Sequence, residues 1–557
     1  MRLFVILLFF TNALMAQEQV FYNGNIFTGE TTQPFVEAVA IRGDKIIAVG
    51  TTKKVKKALS KNAQWIDLKG NSMLPGFIDS HIHAVKGGKT LISADITGKL
   101  PDFDFLKAFA AEVKSNGKAM NEGFFTITGF HLGYWNNTAA LSQIFDSPDY
   151  AGIPVMLVGE DYHTAWVNTE LQKRAGIDPV FIQKLSVSER SLYGLDRQQR
   201  FNGLLREEAY SKISALIPPF SDEKMMVAGK AAIQHCNGFG LTAWMDPTIN
   251  GSLSTYKKLA DQGLLTARVV GLIHVDPAPN TAATLQKVAE LKAKYRSVPN
   301  LTIDGIKIFA DGVVEFPGQT AAMTLPYSNS DQRGDLLFDP KDFANLCIAA
   351  DKAGMIVHVH AIGDRAVTES LNGIEAARKA NKDSNLAHSI THLQFVDPKD
   401  FKRFEALNVI ASMQLIWAVA DTSYTNLVQP YIHPYVYEYQ YPARSMQLAG
   451  TIIAGASDWA VSSANPLEAI YTAETRRGLT DLVLNANERM SRLDMLYAYT
   501  IQSAKALRME QQIGSIKVGK MADLIILDHD IMATPVEVLR DIKVVKTILG
   551  GKVVFQQ

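Results

Sequence analysis

Hydrophobic and polar residues follow two rhythms along this chain. From Val20 to about Asp67 they alternate over short stretches broken by a turn at Arg42-Gly43-Asp44, the period-two pattern of half-buried strands. The tail from Ala522 to Phe555 repeats that style, with Val544–Leu549, a Gly550-Gly551 turn and Lys552–Phe555 reading as a hairpin. Between these ends lie apolar runs separated by helical segments: Met73–Ile78, Ile303–Phe309, Met355–Val359, Ser389–Thr391 and Thr451–Ala456. Strands buried on both faces read this way, and strand–helix alternation predicts a parallel sheet. The two strand-rich ends are expected to pair with each other. The stretch from the first run to Gly240–Trp244 is too long for one helical crossover and carries strands of its own at Phe124–Ile127 and Pro154–Val158. It is expected to be an insertion, from about 90 to 230, over the mouth of a barrel, where substrate selectivity would be built.

Each apolar run ends on a group that carries chemistry. The first closes on His81-Ile82-His83, whose spacing on a strand turns both rings to one face. Lys307 stands alone inside Ile303–Phe309, a place that a charged lysine rarely accepts without a partner. The next runs end on His358-Val359-His360, on His392 and on Ser457-Asp458. Polar groups from several strand ends meet only at the C-terminal mouth of a parallel barrel, and such a cluster makes a metal site. Spacing does not separate His358 from His360, which share a strand face.

These motifs, in this order, resemble the metal-dependent amidohydrolase superfamily. Pro75-Gly76-Phe77-Ile78-Asp79-Ser80-His81-Ile82-His83 carries the general likeness. Lys307–Gly312, His360–Ala366 and Gly514–Leu524 are similar to the type-3 branch, which includes N-substituted formamide deformylase. The resemblance runs from about Phe21 to the C-terminus. It implies a (β/α)8 TIM-like barrel over 75–504, with a small composite β-sandwich built from 17–74 and 505–557.

The same resemblance implies the ligands: His81 and His83 for a first metal ion, His360 and His392 for a second, with His358 supporting from behind. Lys307 would bridge the two ions as a carbamate. An ammonium has no lone pair for a metal, but a neutral amine can take up carbon dioxide. The residue-level alternative is an ion pair of Lys307 with Asp304 or Asp311. Asp458 would be both ligand and proton shuttle, and His163 would hold the substrate carbonyl or the tetrahedral oxyanion. Trp135 and Phe316 are candidates for an apolar substrate pocket. The expected cofactor is a pair of zinc ions, with manganese, iron and cobalt also compatible with nitrogen and oxygen ligands. The expected reaction is hydrolysis of a non-peptide C–N bond in an amide-like small molecule by a metal-activated hydroxide. A lactone, ester or dipeptide hydrolase, or a non-catalytic regulatory protein on the same fold, are the alternatives. Two features are expected at the mouth: Leu415 follows Gln414 where the family often carries Pro, and His388 stands where Arg is expected.

Composition narrows the partners. Lys plus Arg and Asp plus Glu each number 56, so charge gives no reason to expect nucleic acid or an anionic membrane. The densest basic run, Lys53–Lys57, has Val55 and Leu59 at helical spacing and reads as a short helix with a solvated face. Arg2, the apolar stretch Leu3–Phe10 and the small or neutral residues through Ala16 read as a secretory signal peptide, giving a periplasmic or secreted chain from Gln17. Cys236 and Cys347, the only cysteines, read as two buried thiols rather than a bridge or ligands. A homodimer is compatible with the sequence.

Overall fold

The computed structural model describes residues 17–557 except 161, 163, 278, 279, 317 and 479, and leaves aside the side chains of 188 and 422–424. The expected signal peptide and His163 lie outside the described residues. Two compact units are present, one formed by 17–84 with Ile233–Gln557 and the other by Val85–Ala232.

Eight parallel strands form the centre of the first unit: β1 (Phe77–Asp79), β2 (Leu241–Asp246), β3 (Arg268–His274), β4 (Leu301–Phe309), β5 (Ile356–Ala361), β6 (His388–His392), β7 (Val409–Met413) and β8 (Ile453–Gly455). Each pairs with its neighbour in chain order. The sheet is a nearly closed (β/α)8 TIM-like barrel, its seam bridged by the Ser80 amide donating to Gly455 O at 2.9 Å. Ser80 Oγ lies 2.7 Å from Ser412 Oγ across the same seam. Nearly every residue of β5 to β8 is buried, which explains why these strands read as unbroken apolar runs rather than alternating ones.

The chain ends of this unit share one eight-stranded mixed sheet, in which Leu524–Leu527 pairs antiparallel with Ser72–Pro75. Alternation is visible in its packing: Val39 and Ile41 join one buried cluster with Met73, Leu524 and Ile548, whereas Ala38 and Ala40 join another with Val55. Val55 is the buried residue of the helix Thr52–Lys57, and its lysines are exposed. The tail hairpin pairs Leu549 with Lys552 across Gly550 and Gly551, both at positive φ. A two-residue type I′ turn, which follows the strand twist, needs that conformation at both positions. Cys236 and Cys347 are buried free thiols.

The second unit has its own seven-stranded sheet, with Phe124–Phe130, Val155–Gly159, Thr164–Val167 and Phe201–Arg206 side by side. Val155, Leu157 and Trp166 face one apolar cluster, and Met156, Val158, Ala165 and Val167 face the other. Among the described residues, no helix is long and apolar enough to cross a membrane.

Candidate metal centre

Four strand ends of the barrel bring titratable side chains to one place. His81 and His83 follow β1, where the amide of His83 donates to Trp459 O and that of Asp458 to His81 O, tying the first strand end to the last. Nε2 of His81 and Nε2 of His83 each lie 3.3 Å from the same oxygen, Asp458 Oδ1. Potential ligand atoms of His81, His392 and Asp458 all lie within 4.8 Å of one another. His360 joins them with its ring centroid 4.4 Å from that of His392. Asp458 and His392 have φ values of +55° and +74°, a conformation sparsely populated by non-glycine residues and held here by the surrounding barrel.

Each histidine has one ring nitrogen held from outside. His392 Nδ1 meets Gln414 Oε1 at 3.0 Å, and His360 Nε2 meets Gly312 O at 3.1 Å. Because an amide oxygen and a carbonyl only accept, these nitrogens carry the protons, and Nε2 of His392 and Nδ1 of His360 keep their lone pairs. His83 Nδ1 lies 3.0 Å from Thr248 Oγ1. His81 Nδ1 lies 2.7 Å from His358 Nε2, whose other nitrogen reaches Ser389 Oγ at 2.6 Å. A relay of neutral rings, each donating outward to the next, leaves His81 Nε2 free as well. Burial, reinforced by the charge of Lys307, holds His81 and His358 well below the ordinary imidazole range and His360 down to about 3. His392 is held well below the range too, by burial and by His360. These four rings are therefore neutral at pH 7, the form that binds metal.

Lys307 is buried on β4 with no hydrogen-bond partner at Nζ, and Asp458 Oδ1 is likewise buried without one. Burial pulls the Lys307 amine down to about 7, against an opposing pull from Asp458. The ion-pair alternative for Lys307 fails, because both candidate acids are engaged elsewhere. Asp304 meets Lys292 at 2.5 Å, and Asp311 accepts the amides of Ile362, Gly363 and Ala322 at 2.8–3.0 Å. Asp458 stays ionised: burial pushes its carboxyl up, but His83, His392 and Lys307 together hold it below its ordinary value. Orphaned polar atoms inside a ring of lone pairs fit a bound divalent ion, since buried polar groups are otherwise paired.

The structure brings together His81, His83, Lys307, His360, His392 and Asp458. Phe316, on the segment after β4, is 39 % exposed and stacks on Tyr431 at 4.6 Å. Trp135 belongs to the second unit, packing on Phe130 and donating from Nε1 to Thr164 Oγ1. His388 is not a mouth residue. It starts β6, four residues before His392 and so roughly 13 Å away along the strand, with Nε2 on Asp351 and Nδ1 accepting from the Val357 amide. Gln414, singled out only for the Leu415 that follows it, holds His392 directly. Thr248 and Ser389 were not singled out by the sequence; the available signal was a hydroxyl on, or just after, a barrel strand.

Residues 64–555 match the model of the Amidohydrolase family. The protein LONG AFTER FAR-RED 3 of Arabidopsis thaliana is 27% identical over 548 residues, spanning 96% of this chain and 91% of that protein. N-substituted formamide deformylase of Arthrobacter pascens is 22% identical over 547 residues, spanning 96% and 98%. The crystal structure of an uncharacterized metal-dependent hydrolase from Pyrococcus furiosus shares the fold with a TM-score of 0.72 at 23% identity, covering 92% of this chain and 99% of that one.

Proposed function

We propose, on the premise that the chain belongs to the amidohydrolase family, that it hydrolyses a non-peptide C–N bond of a small amide-like substrate with divalent metal, zinc by ligand type. The carrying observation is the pair of buried orphaned atoms, Lys307 Nζ and Asp458 Oδ1, among histidines whose outer nitrogens are already held. His81, His83, His360, His392 and Asp458 would hold the metal. When bound, it supplies Lewis-acid activation of water and of the substrate carbonyl.

The remaining work falls to the chain. Asp458, ionised at neutral pH, accepts a proton from the attacking water as the new C–O bond forms. It returns that proton to the substrate nitrogen as the C–N bond breaks, so that the amine leaves neutral. Lys307, with a substantial neutral fraction near pH 7, attacks the carbon of carbon dioxide through Nζ; an N–C bond forms, one C=O pair moves to oxygen and one proton is lost. The resulting carbamate supplies two oxygens that share one negative charge where the structure has an orphaned amine. N-substituted formamide deformylase, one of the relatives above, suggests formamides as the first substrates to try.

Metal analysis of the purified protein, joined to turnover of formamides, cyclic imides, N-acyl amino acids and lactones, tests this reading. Amide-type turnover that tracks metal content is expected; a metal-loaded protein that cleaves lactones alone would sink the C–N assignment. Lys307→Ala should lower metal from roughly two equivalents towards one and remove most turnover, with partial rescue by formate or propionate. Two retained equivalents and normal turnover would reduce Lys307 to a buried packing residue.

A further inference from the structure

A second place for a ligand lies wholly within the second unit, in a cleft of 250 Å³. Its walls are mainly apolar, with Ile217, Pro218, Pro219 and Phe220 from one loop. Lys89, Lys118 and Lys224 also line it, and no acidic residue does. Lys224 Nζ sits 4.1 Å from the centre of the Phe220 ring and Lys89 Nζ 6.0 Å from it, so two cations share one aromatic ring. Lys224 also donates to Met120 O at 2.8 Å and feels the charge of Glu122, whereas Lys89 is faced by another cation, Lys86. Thr126 also lines it, although its Oγ1 is itself buried and has no hydrogen-bond partner. Burial lowers both amines, the sign of ammonium groups taken partly out of water; Met120 O and Glu122 offset this at Lys224, whereas Lys86 adds to it at Lys89.

We propose that this cleft binds a small monocarboxylate with a flat apolar body, its carboxylate taken up by Lys89 and Lys224 and its body laid against the loop Ile217–Phe220. A carboxylate suits this lining: it brings a negative charge to a cleft with three lysines and no acid, and it carries that charge at one end of an apolar molecule. Phosphate fits less well, because the lining has no arginine fork and mostly apolar walls. The volume is enough for a benzoate-sized molecule.

Titration of the metal-loaded full chain with 4-fluorobenzoate, followed by fluorine NMR, tests the site. Saturable binding is expected, weakened by about tenfold or more in Lys89→Met and in Lys224→Met. Lys89→Arg should retain it, which together with an unchanged thermal midpoint separates loss of charge from loss of fold. 4-Fluorobenzyl alcohol, the same ring without the charge, should bind at least about tenfold more weakly, and inorganic phosphate should not compete. Because carboxylates also ligate metals, His392→Ala is the decisive control: affinity unchanged in that variant assigns binding to the cleft. Affinity lost in His392→Ala, affinity unaltered in both Lys→Met variants, or equal binding of the alcohol would each overturn the proposal and leave the lysines as solvated heads on apolar stems.

Discussion

The two ends of the barrel hold buried histidines and aspartates in opposite states. At the start of β6, Asp351 Oδ1 is reached by Arg378 at 2.8 Å, by Ser384 at 2.7 Å and by His388 at 3.0 Å, and Oδ2 by Asn381 at 2.8 Å. Both nitrogens of His388 are used, one donating to Asp351 and one accepting from Val357. At the other end of the same strand, His392 turns one nitrogen to Gln414 and keeps a lone pair, next to an aspartate oxygen and a lysine nitrogen with no hydrogen bond. Residue types and burial are alike at the two ends. What differs is completeness: a closed network contributes stability, and an open one is poised for something the chain itself does not supply.

The sharpest way to break the comparison is to neutralise the open end. Asp458→Asn keeps the shape and removes the base, so turnover should fall by about 10²–10⁴-fold while the thermal midpoint of metal-free protein stays or rises. A midpoint that falls as turnover disappears would show that the open end was structural after all.

Asp351→Ala should do the reverse. Removing one carboxylate strands Arg378 and His388 inside the protein, at a cost of about 3–5 kcal/mol, with metal content unchanged; urea unfolding measures the first and metal analysis the second. Its pH dependence has a definite sign. Burial favours the neutral acid, but the hydrogen bonds from His388, Ser384 and Asn381 more than offset it and hold Asp351 well below its ordinary value. A depressed folded pKa gives stability that is complete above the unfolded value, near pH ~3.9, and is lost only as pH falls through the folded one. The gap between wild type and an Asp351→Asn variant should therefore be flat from neutral pH to about 4 and shrink in stronger acid. A gap that closed already near pH 6 would mean that the histidine, not the carboxylate, governs this end.

The closed end was the harder one to recognise in the sequence, and the reason is physical. The barrel was legible because strands buried on both faces read as apolar runs, and the clustered polar residues because a run either stops on a polar group or, at Lys307, encloses one. His388 was misplaced at the mouth because resemblance supplies a residue type without the end of the strand on which it acts; four steps of ~3.3 Å each separate two unlike environments. Lys307 could be seen as anomalous, but the absence of a partner for it depended on Asp304 and Asp311 being occupied by groups remote in sequence, such as Lys292 and the amide of Gly363. The outward hydrogen bonds of the histidines were invisible, since Thr248, Ser389 and Gln414 reach them only after the strands have been laid side by side.

Gln414 yields the finest test, because it belongs to the open end yet is itself closed. It is fully buried, accepts from His392 through Oε1 and donates through Nε2 to Thr391 Oγ1 at 3.2 Å. Gln414→Leu keeps the volume and deletes the acceptor. The Nδ1 proton of His392 then either stays buried and unpaired, at about 1–3 kcal/mol, or moves to Nε2 and covers the lone pair that faces the centre. Both outcomes weaken metal binding, by about 10–100-fold in a chelator competition, with a smaller loss of turnover at saturating metal. Gln414→Glu, which restores an acceptor for the same proton, should recover most of the affinity where Leu does not. Should Leu and Glu bind metal as tightly as the parent, the tautomer of His392 would have to be set by the metal alone, and the outward bonds of the other histidines would lose their claim to be part of the site.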